Sequence, residues 1–145
     1  MASRLNLAID IDEPPEALFD LMADVGNEPA WNPDALEVKR IGDGPLAEGA
    51  EWEGRYKGMG TMRVRLDEYE PPSRLGFTTT GNKMDMHWRF TYSPRESGTH
   101  VDVDAEIQAR GAMRLMGPFM GPMMRRTFSK RPAQLAAGVA ATRKS

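Results

Sequence analysis

The sequence contains no cysteine, which excludes disulfides, thiolate nucleophiles and metal or iron–sulfur sites built on thiolates. It has only two histidines in 145 residues, and they do not stand at a recognised metal-ligand spacing. No segment approaches the roughly 20 apolar residues that a membrane-spanning helix needs. We therefore expect a protein with no metal site, no cofactor and no integral membrane association.

An excess of charge of one sign is also lacking. The chain carries 19 Lys and Arg against 21 Asp and Glu, a formal net charge of −2, so no nucleic-acid partner is expected. The first residues lack the apolar run of a signal peptide, which predicts a cytoplasmic protein. No repeat or interdomain linker is visible, and 145 residues suit a single domain over 1–145.

The first quarter of the chain predicts a strand and two short helices. Apolar residues alternate with polar ones from Leu5 to Ile11, which is typical of a half-buried strand. Asp12-Glu-Pro-Pro-Glu16 then provides a helix start, and the apolar stripe that follows extends to about Val25. Closely spaced Gly and Pro residues confine the next stretch to a short helix around Asn27–Trp31 and a turn.

Six further strands are predicted, separated by short connections that contain Gly, Pro, Asn or Ser. Short connections between successive strands indicate an antiparallel meander. The chain then ends in a long amphipathic helix, from Met113 or Gly117 to Val139, which Pro132 should bend. The predicted strands are Leu36–Ile41, Ala50–Tyr56, Thr61–Tyr69, Arg74–Thr80, Met84–Tyr92 and Thr99–Gln108.

Methionine is unevenly distributed, because five of the eleven fall between Met113 and Met124. Thioether side chains are unbranched and adapt to irregular apolar shapes. The pattern is compatible with a cavity for a ligand and equally with a loosely packed core. Several apolar residues of this region recur at steps of three and four residues, which is the spacing of one helix face. They are Met116, Met120, Met123, Met124, Phe119 and Phe128.

The inward positions of the strands would provide the opposite wall of such a cavity. Tyrosine and tryptophan bring single polar groups that either hydrogen-bond within a plain core or bind a ligand oxygen. The sheet residues expected to bind a ligand are Trp52, Tyr56, Met62, Phe77, Met86, Trp88 and Phe90. Their expected partners on the last helix are Phe119, Met120, Met123 and Met124.

No catalytic group stands out. Tyr56 is the best candidate proton donor, and Glu68, which continues the inward alternation that includes Leu66, is a second candidate at the cavity rim. His87 is expected beside Asp104, an arrangement typical of a general base. Both are predicted on the solvent face, however, where cross-strand charge pairs are ordinary. We therefore favour a protein without catalysis and leave the question of an enzyme open.

Two further features concern the ends of the cavity. Trp31 is expected to pack over one end, either as the anchor of an irregular turn or as a gate. The last helix carries a basic flank that is able to dock on a membrane together with the methionine face, although basic residues on a solvated helix face are the commoner explanation. The flank consists of Arg125, Arg126, Lys130 and Arg131.

Three segments match a known pattern in the right order. They are Trp31-Asn-Pro33 after the two short helices, Tyr69-Glu-Pro-Pro-Ser-Arg-Leu-Gly-Phe77 between the fourth and fifth strands, and Leu115-Met-Gly-Pro118 leading into Arg125-Arg126. With this element order, the chain resembles the START-like superfamily, also called the Bet v 1-like or helix-grip fold (SRPBCC), and especially its bacterial polyketide cyclase/dehydrase branch. The resemblance implies an α+β fold in which a seven-stranded curved antiparallel sheet wraps around a long C-terminal helix.

The resemblance also implies the kind of function. Members bind lipids, polyketides or related apolar molecules between the sheet and the last helix, and the leading expectation is such binding without catalysis. The alternatives are a cyclase/dehydratase-type enzyme acting on a polyketide-like substrate and a protein-interaction module of the same fold. No catalytic motif of the family carries over residue by residue. Weak self-association or a protein partner stays open.

Overall fold

The computed structural model describes the backbone of residues 2–143, with side chains described at all of these positions except 2, 116, 117, 120 and 143. The chain begins with strand β1 and a short helical region made of α1 and a first 3-10 helix. Six strands follow, and a second 3-10 helix leads into α2 and α3. The helices are α1 Pro15–Ala23, 3-10 helices Val25–Ala30 and Gly111–Met116, α2 Gly117–Phe128 and α3 Arg131–Arg143.

Seven strands form one antiparallel sheet in the order β1-β7-β6-β5-β4-β3-β2. Strands β2 to β7 are a meander, and β1 joins its far edge by pairing with β7 along its whole length. The expected seven-stranded helix-grip architecture is confirmed. The strands are β1 Ala2–Ile11, β2 Ala35–Ile41, β3 Glu51–Tyr56, β4 Gly60–Glu70, β5 Arg74–Gly81, β6 Met84–Arg95 and β7 Gly98–Ala109.

The apolar face of the sheet is covered at one end by α1. Phe19 of α1 is fully buried, and its ring centroid lies 5.5 Å from that of Tyr69 and 5.8 Å from that of Tyr92. Tyr92 donates a hydrogen bond to the sulfur of Met22 on the same helix. This end of the molecule is therefore filled by its own side chains, and any free space must lie toward the C-terminal helices.

The hairpin between β6 and β7 corrects one predicted pairing. β6 extends to Arg95, which pairs with Gly98, so the turn contains only two residues. A tighter turn shifts the register, and His87 therefore lies opposite Glu106, whereas Asp104 lies opposite Arg89. The expected pairing of His87 with Asp104 was wrong for this reason.

A β-bulge between Leu66 and Glu68 corrects the orientation predicted for Glu68. An extra residue in one strand reverses the alternation beyond it, so Tyr69 packs into the core and Glu68 turns to the outer face. There its carboxylate lies 3.3 Å from Arg89 Nε and 3.5 Å from Arg74 Nη1. Glu68 is thus absent from the cavity wall, and the interpretation that placed it at the rim was wrong.

The predicted long C-terminal helix is divided into α2 and α3 at residues 129–130. Pro132 causes this break, because it has no N–H to donate to the carbonyl of Phe128 and its ring crowds the preceding turn. Pro132 instead occupies the first turn of α3, where a missing N–H costs nothing. The sequence located the distortion correctly, but the outcome is two helices instead of one bent helix.

Candidate functional site

A cavity of about 390 Å³ lies between the inner face of the sheet and the two C-terminal helices, and the first 3-10 helix closes one end. Its volume falls within the usual range of small-molecule pockets. All eight methionines whose side chains the structure describes line this cavity. They are Met22, Met59, Met62, Met84, Met86, Met113, Met123 and Met124.

The structure brings together eight of the eleven residues expected to bind a ligand. One group consists of aromatic residues on β6 and α2, where the ring of Trp88 stacks on Phe90 at 5.9 Å and lies 5.9 Å from Phe128. Flexible thioethers then occupy much of the remaining wall. The eight lining residues are Tyr56, Met62, Phe77, Met86, Trp88, Phe90, Met123 and Met124.

Three expected residues are placed differently. Trp52 is fully buried in the packed core, where Arg40 lies 5.3 Å from its ring centroid, and it does not reach the cavity. Phe119 is 63% exposed and does not line the cavity, although it precedes the lining residue Met123 by one helical turn. Both assignments to the cavity wall were wrong. The side chain of Met120 lies outside the described residues.

One end of the cavity is polar, and Glu28 is its centre. Glu28 lies in the first 3-10 helix, and its Oε1 accepts a hydrogen bond of 2.5 Å from the hydroxyl of Tyr56. Its Oε2 accepts a second bond, of 2.8 Å, from Asn32 Nδ2. Desolvation raises the pKa of the Glu28 carboxyl, although both hydrogen bonds act in the opposite direction.

The same environment acts on Tyr56. Burial raises the pKa of its phenol far above the usual value, and the nearby charge of Glu28 adds to the effect. A phenol with a raised pKa holds its proton and acts as a fixed hydrogen-bond donor to Glu28. Tyr56 is therefore poorly suited to the role of proton donor that the sequence indicated for it, whereas a carboxyl with a raised pKa is better matched to acid–base chemistry near neutral pH.

Arg131 and Trp31 complete this polar end. Arg131 is the first residue of α3 and only 8% exposed, and its guanidinium carbon lies 5.5 Å from the ring centroid of Trp31 and 5.6 Å from that of Phe128. The prediction that Arg131 belongs to a solvated basic flank was wrong, whereas Arg125, Arg126 and Lys130 are exposed. Trp31 lines the end of the cavity, as expected.

Sequence reasoning missed Glu28 and the inward position of Arg131. A signal for Glu28 was present, because it precedes Asn32 by four residues, the spacing at which two side chains meet across one helical turn. For Arg131 the only local signal was Pro132, since a break in the helix changes which face the next residue presents. Neither signal shows that the two residues, far apart in the chain, line the same cavity.

The outer face of the sheet carries a network of charged residues. His87 Nδ1 lies 3.0 Å from Thr78 Oγ1, which also bonds to Asp67, and Arg4 pairs with Asp104 at 2.9 Å. Exposed pairs of this kind contribute little to stability. Within the described part of the chain there is no cluster of three or more acidic or histidine side chains that would hold a metal ion. No helix in that part is long and apolar enough to cross a membrane.

Comparison with known proteins gives a family and a fold. A family model described as polyketide cyclase/dehydrase and lipid transport matches residues 3–142. None of the curated proteins matches the chain. Among solved structures, Ara h 8.0201 is 12% identical with a TM-score of 0.73 and full coverage of both chains.

Two bacterial structures are similar as well. The ZhuI aromatase/cyclase from Streptomyces sp. R1128 is 12% identical over 99% of this chain and 95% of its own, with a TM-score of 0.70. Protein CV1439 from Chromobacterium violaceum is 18% identical over 93% and 96% of the two chains, with a TM-score of 0.64. At these identities the structural likeness establishes the fold and leaves the activity to be argued from the site.

Proposed function

Since the chain belongs to the polyketide cyclase/dehydrase and lipid-transport family, we propose that it binds a small hydrophobic molecule in the cavity between the sheet and helices α2 and α3. The observation that carries this proposal is the cavity of about 390 Å³ and its lining of methionine and aromatic side chains. Burial of an apolar ligand there would contribute roughly 25 cal/mol of binding free energy per Å² of apolar surface removed from water. Methionine walls adapt to several shapes, so we propose a ligand class of lipid, polyketide or aromatic type.

Removal of one aromatic wall tests this proposal. N-phenyl-1-naphthylamine is an uncharged apolar dye whose fluorescence rises in an apolar environment, and we expect it to bind the wild type. Trp88→Ala should weaken this binding about five- to tenfold, because the variant removes an aromatic surface that stacks on Phe90 and contacts Phe128. Fluorescence titration gives the dissociation constants.

His87→Ala is the matched control, because His87 is the neighbouring residue on the outer face of β6 and does not line the cavity. It should leave the affinity for the dye unchanged. Equal effects of the two variants, or no binding of the dye by the wild type, would contradict an apolar site in this cavity.

A second candidate function is acid–base catalysis, and the hydrogen bond of 2.5 Å between Tyr56 and Glu28 on the cavity wall favours it. In a dehydration, Glu28 would move a proton between two substrate atoms while Tyr56 holds the carboxyl in place. The raised pKa of Glu28 suits this role. Binding without turnover remains our proposal. Tyr56 retains its proton, and the other charged residues of the described cavity wall are Arg131 and the two exposed residues Asp34 and Lys57.

The two functions differ in what Glu28→Gln would retain. If the protein only binds, native mass spectrometry should show the same co-purified molecule in the wild type and in Glu28→Gln, and organic extraction should remove it from both. A molecule that is heavier by one water in the variant would indicate a dehydration that Glu28 catalyses. We expect identical ligand masses.

A further inference from the structure

We infer that the polar end of the cavity binds the carboxylate of an amphipathic ligand through the guanidinium of Arg131 and the indole N–H of Trp31. The inference rests on the proposed binding function and adds the class of ligand to it, an apolar body that carries one carboxylate. Both side chains line the cavity and lie in contact with each other.

The placement of Arg131 is the first argument. Its side chain is 8% exposed and stacks between the rings of Trp31 and Phe128, so the planar guanidinium is held in one orientation. Its Nη1 donates a hydrogen bond of 2.5 Å to Gln134 Oε1. A guanidinium has five N–H donors in a fixed fork that matches a carboxylate, so it retains the capacity to bind a further acceptor.

The charge of Arg131 has no direct partner in the part of the chain that the structure describes. Glu106 is the last acid of the sequence, and residues 107–145 contain eight basic residues and no acidic one. Glu28 and Asp34 also line the cavity, and their negative charges act to raise the pKa of Arg131. Among the described residues, neither these nor any other carboxylate lies within the 4.0 Å of an ion pair with it. A buried charge is ordinarily paired, and burial lowers the pKa of Arg131 accordingly.

Glu28 is not available to fill this role. Its two carboxylate oxygens already accept bonds from Tyr56 and Asn32, which orient the group toward the first 3-10 helix and β3. At the exposed rim, Lys57 and Asp34 carry opposite charges, and solvent screens both of them. The N–H donors of Arg131 and Trp31 are therefore the polar groups at this end of the cavity that are left to bind an acceptor of the ligand.

The indole of Trp31 provides the second argument. Its Nε1 is buried and has no hydrogen-bond partner among the described residues. Buried donors without a partner are rare in folded proteins, and each calls for an explanation. An indole N–H and a guanidinium are both donors only, so the group that suits the two together best is an acceptor with a negative charge. A carboxylate meets this condition, and an alcohol meets it less well.

Competition between two ligands of equal length tests the inference. Dodecanoate and dodecan-1-ol are each used to displace N-phenyl-1-naphthylamine at pH 8, where the carboxylate is ionised. The wild type should bind dodecanoate about 10- to 100-fold more tightly than the alcohol, the range expected for charge-assisted hydrogen bonds. Arg131→Gln should abolish this preference, because it should weaken the binding of dodecanoate much more than that of the alcohol or the dye. Arg125→Gln, which removes an exposed charge from α2, should behave as the wild type.

Two further variants keep the test decisive if Arg131→Gln does not fold. Trp31→Phe keeps an aromatic ring beside Arg131 but removes the N–H together with part of the indole, so it should weaken the binding of dodecanoate several-fold and that of the alcohol less. Arg131→Lys retains the charge but not the fork and should preserve part of the preference. If the wild type binds the dye but shows no preference for dodecanoate, the inference is wrong and the proposed apolar site stands. If neither the dye nor dodecanoate binds, both are wrong.

Discussion

Thr79→Trp is expected to abolish binding of N-phenyl-1-naphthylamine, with an affinity reduced at least about 100-fold. Thr79 is a buried residue near the middle of β5 that lies between Val64 and Met86 in the sheet and lines the cavity. An indole has about 150–250 Å² of surface to bury, and the cavity of about 390 Å³ is the adjacent space that would accept it. The variant would therefore fill the site with its own side chain. A 100-fold loss corresponds to about 2.7 kcal/mol of binding free energy.

Thr80→Trp is the control, because Thr80 is the next residue on the opposite, exposed face of the same strand. It introduces the same ring without entering the cavity, and it should leave the affinity unchanged. Both variants are compared by thermal unfolding, since overpacking of a filled core would cost about 1–3 kcal/mol. If Thr79→Trp is folded and still binds the dye at wild-type affinity, the dye binds elsewhere, for example at the exposed Phe119 and Leu115.

The fold was predictable because its signals are local. Alternation of apolar and polar residues recurs in all seven strands, and Gly, Pro, Asn or Ser occupies each short connection, so strand number and direction follow from period and loop length. The family resemblance then predicted that the curved sheet packs around the C-terminal helix. The errors in strand register and side-chain orientation arose where a single inserted or missing residue changes which side chains face each other. The bulge at Leu66–Glu68 and the two-residue turn after Arg95 each changed the neighbours of side chains placed by counting.

The candidate site was predictable only in its apolar part. Inward positions of the strands identified Met62, Met86 and Trp88 correctly as lining residues, because a strand alternates reliably between two faces. On α2 the helical spacing placed Met123 correctly but not Phe119, one turn earlier, because spacing does not show where along a helix its contact with the cavity begins. The polar end was not predictable, because Glu28 and Arg131 come together only through the packing of α3 against the first 3-10 helix.

Glu28→Gln should increase stability at neutral pH and remove part of its pH dependence. Burial raises the pKa of the Glu28 carboxyl above the unfolded value of 4.5, so the folded state binds the proton more tightly. The corresponding stability is fully present below pH 4.5 and is lost as the pH rises through the raised folded pKa. The wild type should lose about 1–3 kcal/mol in this range, the usual cost of a buried polar group that is incompletely compensated. Glutamine does not ionise and still accepts a bond from Tyr56 or Asn32.

Urea denaturation of both proteins between pH 4 and pH 8 measures this difference. Subtracting the wild-type curve from that of Glu28→Gln cancels the other titrating groups, and the advantage of the variant should grow with pH. Glu37→Gln provides a control of opposite sign, because Lys39 and Arg55 lower the pKa of the Glu37 carboxyl on the exposed face of β2. Its removal should cost stability as the pH rises above the unfolded value. A difference for Glu28→Gln that stays constant with pH would mean that the folded protein hydrates this carboxyl, and the closed polar end of the cavity would then be wrong.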